Sequence, residues 1–281
     1  ANPIFIDSEE DTWNMDPNLL EDAIKNRINK RKMPKAIIVV DSYGMPAKWD
    51  EILMIANKYH IPIIEDSAEA LGSEYRNKRC GLFGDFGIFS FNGNKIITTS
   101  SGGALLCNTT KQKDKVIYLA SQAKKNKDYT HYNLGYNYRM SNVLAGIGRG
   151  QMRSLENKIK KKREVNQFYQ KIFRNIEGIE VLKEPNNFFY SNHWLSCILV
   201  DKTKAGFSNL DLKKQFLEDK IDSRTLWNPL HLQKYFKNYE YFGGNISEQL
   251  YKKGLCLPSG ANLTNIDLKR IQESVNKMIA K

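Results

Sequence analysis

The chain has 281 residues, enough for one large or two modest domains with a real core, and its 41% hydrophobic and 11% aromatic content is that of a folded protein. Its apolar stretches, such as residues 36–40 and 103–107, fall far short of the ~20 residues a membrane span needs, and the Ala-Asn-Pro-Ile start has neither the basic segment nor the apolar core of a signal peptide. The formal charge of +12, from 43 Lys and Arg against 31 Asp and Glu, favours anionic partners. Nucleic acid is not among those expected: the basic clusters at 25–35, 124–127 and 158–163 lie in or beside expected helices, carry no aromatic stacking platform, and read as solvated lysine-rich surface. Cys80, Cys107, Cys197 and Cys256 form no CxxC pair and the four histidines are dispersed, so no zinc site is expected and a reduced, cytoplasmic setting is.

The first half alternates short apolar runs with helical patterns, which predicts an α/β domain. Residues 4–6 form a first short strand. Asp16-Pro17 starts a helix, an N-cap followed by proline at the first helical position, with Leu20, Ala23, Ile24 and Ile28 at helical spacing behind it. The uninterrupted run 36–40 predicts a strand covered on both faces. Residues 49–59 read as a helix, and 61–64, 86–91 and 104–107 as strands, the last entered through Gly102-Gly103. One long helix is expected from Ser141 to about Ile172; it opens on small residues, Ala145, Gly146, Gly148 and Gly150, that permit close backbone approach, and it continues with Leu155, Ile159, Val165, Phe168 and Ile172 on one face. A strand at 194–200 and helices at 210–219 and 267–279 then make a smaller α/β layer. The domain boundary is expected inside the long helix, giving residues 1–160 and 161–281.

Two segments carry chemistry. In FGIFSFNGNKIITTSSGG, from Phe86 to Gly103, a strand ends at Ser90-Phe91, and a polar turn leads to a single lysine, Lys95, between apolar residues and glycines. A loop leaving a buried strand can desolvate an amine as a Schiff-base lysine requires, although a lone lysine in a lysine-rich chain is ordinarily a solvated charge. In IPIIEDSAEALG the acidic pair Glu65-Asp66 stands at the C-terminal end of a strand, the edge where open α/β sheets collect their ligand sites. Asp66 is either part of such a site or the N-cap of a short helix at 68–71. If the strands run parallel, the same edge holds Ser90 and Lys95.

These strings also carry a resemblance. EDSAEALGSEY, FSFNGNKIITTSSGGAL and GYNYRMSNVLAGIGRGQM, with FIDSEEDTWNMDP, IDSRTLWNPLH and CLPSGANLT, resemble the DegT/DnrJ/EryC1/StrS aminotransferases, and among them the bacillosamine-type C4 branch. The resemblance implies a fold-type I enzyme dependent on pyridoxal 5'-phosphate (PLP), with a mostly parallel sheet domain and a smaller C-terminal α/β domain. It implies transfer of an amino group, from glutamate or a similar donor, to a nucleotide-linked 4-keto-6-deoxy sugar in surface-glycan synthesis; the positive field would also attract a sugar-nucleotide pyrophosphate.

Residue by residue, the resemblance implies that Lys95 carries the cofactor and moves protons in catalysis. Asp66 would pair with the pyridinium nitrogen, Glu69 would stand near the cofactor's O3′ where the family usually has His or Gln, and Ser90 would bond the phosphate. Asn137 would reach the neighbouring subunit's cofactor phosphate, making a homodimer with shared sites. Arg139 would bind the donor carboxylate or structure its loop, and His231 would line the substrate site. The family's Gly-Thr/Ser-Ala phosphate turn falls ahead of Asn2, so roughly the first quarter of the family pattern is expected to lie outside this sequence. The competing reading is a non-catalytic fragment that keeps the fold and dimer surface and binds PLP poorly.

Overall fold

Asp16 caps the first helix as its sequence requires, its carboxylate accepting from Asn18 N and Leu19 N with Pro17 in the first turn. The computed structural model describes residues 1–124 and 130–280. In chain order it contains β1 (Phe5–Ile6), α1 (Pro17–Asn29), β2 (Ile37–Val40), α2 (Trp49–Tyr59), β3 (Ile63–Asp66), β4 (Glu74–Tyr75), β5 (Lys78–Arg79), β6 (Phe86–Ser90), β7 (Gly103–Cys107) and α3 (Thr110–Ala120). There follow α4 (Asn142–Met152), α5 (Leu155–Phe173), β8 (Ile179–Val181), β9 (Phe189–Tyr190), β10 (Ser196–Val200), α6 (Lys202–Ala205) and α7 (Asn209–Glu218). The chain closes with β11 (Arg224–Thr225), β12 (Tyr241–Phe242), α8 (Ile246–Lys253), β13 (Gly254–Leu257) and α9 (Asn265–Ile279).

The sheet that positions the site has the order β2-β3-β6-β7. Its first three strands are parallel, with Val40 opposite Asp66 and Asp66 opposite Ile88, and β7 returns antiparallel. Parallel pairing brings the C-terminal ends of β2, β3 and β6 to one edge, where the chain leaves each strand in a loop. The expectation that residues 36–40 are covered on both faces is corrected here. Ile37 and Val39 are buried, but Ile38 is 58% exposed and Val40 is also open, because β2 is an outer strand and its far face has no cover among the described residues.

The single long helix is likewise corrected: it is two, α4 and α5, broken at Arg153-Ser154. Helix α4 buries none of its residues, whereas α5 buries Leu155, Ile159, Val165, Tyr169 and Phe173. Its beginning packs with Ile96, Ile97 and Trp194. Its end joins the core of the antiparallel sheet β11-β13-β10-β8, together with Leu212, Phe216, Ile271 and Val275. A third core draws Trp13, Trp49, Ile52 and Ile63 together with Leu182, Cys197, Leu226 and Cys256, so the two halves of the chain share apolar cover.

The lysine clusters are not uniformly solvated. Lys162 is buried and donates to the carbonyls of Trp194 at 2.9 Å and Ser259 at 2.6 Å, and burial, with the charge of Lys158, lowers its pKa to about 8. Of the cluster at 124–127, residues 125–127 lie outside the described residues.

Candidate active site

Strand alternation sends the two acids of the Glu65-Asp66 pair to opposite faces. Glu65 points inward, where its oxygens accept from the backbone of Gly81, from Phe83 N at 2.6 Å and from Gly84 N at 3.1 Å, so it ties down the loop ahead of β6. Asp66 ends β3 on the other face, at the edge where the parallel strands finish. No helix begins behind it. Residues 67–72 are a turn, and Asp66 accepts from Ala68 N at 3.1 Å, a local side-chain-to-backbone bond in place of a helix cap.

That turn carries Glu69 back toward the loop after β6. Lys95 lies in this loop, where its backbone N–H closes a turn onto Asn92 O at 3.0 Å and its Nζ reaches Glu69 Oε1 at 3.3 Å. Both side chains are 13% exposed. The other Glu69 oxygen accepts from Tyr43 N at 2.7 Å, in the loop after β2. The loops after β2, β3 and β6 therefore converge on one amine-carboxylate pair. Burial raises the pKa of Glu69, and the Lys95 charge and the Tyr43 bond pull back against that rise. Ser90, the last residue of β6, stands half-buried at the same edge and accepts from Asn92 N at 3.3 Å.

Three residues that sequence reasoning did not single out complete the cluster. Trp194 places its ring 4.2 Å from Lys95 Nζ and donates its indole N–H to Asn94 O at 2.9 Å. Asn192 Nδ2 donates to Glu69 O at 2.9 Å and Leu71 O at 3.0 Å. Tyr43 holds a left-handed backbone (φ 58°, ψ 10°), stacks on Trp227, and accepts from Trp227 N at 3.0 Å through its hydroxyl. Two of these reach the lysine loop and the Glu69 turn from about a hundred residues downstream, a separation that no local pattern reports.

The remaining expected residues stand apart. Asn137 is exposed and forms an isolated antiparallel bridge with Ser121, and Arg139, two residues on, is exposed as well. The His231 ring stacks on Tyr241 at 3.8 Å with its Nε2 3.4 Å from Glu248. Within one chain the structure brings together Lys95, Glu69, Asp66 and Ser90, and not these three.

The donor set fits PLP. A half-buried amine has one carboxylate partner and capacity to spare, and a carboxylate and a hydroxyl end the two neighbouring strands. Such a site on a parallel sheet edge is that of an α/β enzyme working by amine and carbonyl chemistry.

The family model of the DegT/DnrJ/EryC1/StrS aminotransferases matches residues 1–276. EpsN of Bacillus subtilis (strain 168) is 42% identical over 278 residues, covering 97% of this chain and 71% of EpsN. A GDP-perosamine synthase of Escherichia coli O157:H7 is 34% identical, covering 99% of this chain and 73% of that protein. The crystal structure of a DegT DnrJ EryC1 StrS aminotransferase from Brucella abortus superposes with a TM-score of 0.91 at 28% identity, covering 100% of this chain and 74% of that one. The chain belongs to the DegT/DnrJ/EryC1/StrS aminotransferase family and is, with it, a PLP-dependent sugar aminotransferase of fold type I.

Proposed function

We propose that the protein transfers the amino group of glutamate to the ketone of a nucleotide-linked 4-keto-6-deoxy sugar, in the synthesis of a surface polysaccharide in the cytoplasm. The observation that carries the reading is Lys95 Nζ, held between the Glu69 carboxylate and the Trp194 face at the edge where Asp66 and Ser90 end adjacent strands. The similarity to a GDP-perosamine synthase supports a nucleotide-linked sugar, and the charge of +12 suits its pyrophosphate.

Lys95 would hold the cofactor covalently, Asp66 would accept a charge-assisted hydrogen bond from the protonated ring nitrogen, Ser90 would donate to the phosphate, and Glu69 would stand near O3′. When bound, PLP supplies an aldehyde for amine exchange and an electron-withdrawing ring. Lys95 Nζ, freed when the donor's amine displaces it, would take the proton from the donor's α-carbon as a general base and give it back to the cofactor's carbon as a general acid. Glu69 fixes where that amine sits. Arg139 and His231 are assigned to substrate, Arg139 to the donor's carboxylate, and Asn137 to a partner subunit's cofactor. Residues 1–160 form the cofactor unit and 161–281 the smaller one.

The test uses the PLP-loaded protein, its length confirmed by mass. Glutamate and a panel of nucleotide 4-keto-6-deoxy sugars are supplied, and 2-oxoglutarate and amino sugar are measured. Amination of the panel in step with 2-oxoglutarate release is the expected result. Release of 2-oxoglutarate with no sugar of the panel aminated sinks the substrate assignment.

A further inference from the structure

The segment Asn192-His193-Trp194 enters the site from the far side of the chain and touches both loops that matter there. Asn192 Nδ2 holds the carbonyls of Glu69 and Leu71. Trp194, only 2% exposed, holds the carbonyl of Asn94 and lays its ring against the Lys95 amine. The segment is fixed in turn. Its Trp194 N–H donates to Asn192 Oδ1 at 2.7 Å, and its Trp194 carbonyl accepts from the buried Lys162. His193 takes a left-handed backbone (φ 46°) with its ring 3.3 Å from Glu184. A non-glycine residue in that region is strained and persists where its surroundings over-determine it. Trp194 also packs with Ile96 and Ile97, the residues directly after the lysine.

We propose that Trp194 is the positioning residue for Lys95: its indole N–H anchors the turn that carries the lysine, and its ring gives the amine a surface to rest on opposite Glu69. Without the anchor, the Asn92–Lys95 turn loses its tie to Trp194 and keeps its own backbone bond, and without the ring the amine keeps its ion pair with Glu69 and loses the surface of the Trp194 face. Trp194 then acts through Lys95, and no contact with the substrate is required of it. This rests on the assignment of Lys95 as the cofactor lysine, and the two are tested separately.

The experiment compares wild type with Trp194→Phe, which keeps a ring and loses the N–H, and Trp194→Leu, which loses both. In the cofactor-free protein, acetylation by an N-hydroxysuccinimide ester is followed by mass spectrometry at Lys95 relative to the exposed Lys269. Lys95 is expected to react about three- to tenfold faster in the Leu variant, the range that a lost cation–π contact and added exposure imply, with the Phe variant between the two. With PLP added, borohydride trapping on Lys95 is expected to slow in the same order while the melting temperature holds, which a merely structural role would not produce. Wild-type rates of acetylation and trapping in both variants overturn the proposal. If the Leu variant does not fold, the Phe variant decides alone by the same criterion. Trapping of the wild-type cofactor on a different lysine overturns the Lys95 assignment instead, and the acetylation result is independent of it.

Discussion

Glu69 lies between the Lys95 amine, 3.3 Å from one carboxylate oxygen, and the Tyr43 N–H, 2.7 Å from the other. The Tyr43 backbone is in the left-handed region, where a bulky residue is strained, and that conformation aims its N–H at the acid. The pair joins three strand ends into one site, and it is where substitution is most informative. Lys95→Ala is expected to abolish borohydride-trapped cofactor and aminotransfer together. Lys95→Arg keeps the charge, but a guanidinium stays protonated and cannot form the covalent link, so it is expected to be equally inactive. Cofactor trapped on any other lysine would overturn the assignment.

Glu69→Gln separates placement from charge. Burial raises the Glu69 pKa in spite of Lys95, so its folded value lies above its unfolded one and its carboxylate weakens the fold as pH rises between the two. Glutamine removes that liability and can still accept from Tyr43. The variant is expected to melt at or slightly above the wild-type temperature, and to lose about tenfold or more in turnover, the effect of about 1.4 kcal/mol of lost transition-state placement. Turnover at the wild-type level would leave Glu69 as packing alone.

Asp66→Asn tests the electron-sink role. An amide preserves the size and the bond from Ala68 N but cannot hold a pyridinium protonated through a charge-assisted hydrogen bond. The variant is expected to bind PLP and lose most of its turnover in both half-reactions. Near-normal turnover would reduce Asp66 to an anchor for its own turn.

The two acids of IPIIEDSAEALG show how far the sequence could be read. That an acid, a hydroxyl and a lysine meet at one sheet edge was legible, because parallel strands place their ends together and Asp66, Ser90 and Lys95 each follow a recognisable strand. The helix opened by Asp16-Pro17 was legible from its cap and its apolar period. What lay beyond reach was long-range. Nothing local reports that Trp194 and Asn192 fold back onto loops about a hundred residues earlier, or that β1 pairs with β12. The helices α3 and α8 have no apolar face to read: α3 buries no residue, and α8, a short helix, buries Leu250 alone. The open face of β2 misled for the opposite reason: Ile-Ile-Val-Val reads as buried on both sides, and within this chain it is not.

Hydrogen counting gives a prediction about the core beneath the site. Ser67 Oγ lies 2.9 Å from Asp41 Oδ2 and 3.0 Å from Glu65 Oε1, yet a hydroxyl has one hydrogen to give. One carboxyl must donate to it. Glu65 already faces three backbone donors, so the proton belongs on Asp41, whose pKa burial and the Glu65 charge raise well above its ordinary value. Asparagine reproduces that pattern, accepting from Ala47 N and Trp49 Nε1 and donating to Ser67. Asp41→Asn is therefore expected to change stability by less than about 1 kcal/mol, while Glu65→Gln, which turns an amide against backbone N–H groups, costs about 2 kcal/mol or more. Because Asp41 binds its proton more tightly folded than unfolded, wild-type stability declines as pH rises from about 4 toward the folded value, and the Asn variant should flatten that slope. Denaturant titrations of the three proteins at several pH values check both statements, and a large loss in Asp41→Asn would place the proton elsewhere.

The last prediction concerns assembly. Asn137 is exposed and joined to the rest of its chain by the bridge to Ser121, and no hydrogen bond or ion pair links it to Lys95 among the described residues. The segment around it is polar and aromatic, and its large side chains are open: Leu134 is 79% and Tyr138 77% exposed, and α4 directly behind leaves Val143 and Ile147 uncovered. A surface of this kind beside a strip of small residues is suited to a second backbone, and a two-fold axis would let each Asn137 enter the partner's site. If so, Lys95→Ala and Asn137→Ala are each inactive alone, but co-expressed they form dimers in which one of the two sites has both residues intact. Activity is then expected to return to about half the wild-type value per heterodimer, since the two sites of a closed dimer are equivalent. Differently tagged subunits purified in tandem give the heterodimer directly. A verified heterodimer with no recovered activity places Asn137 in its own subunit's chemistry, and a protein that sediments as a monomer while fully active removes the shared site altogether.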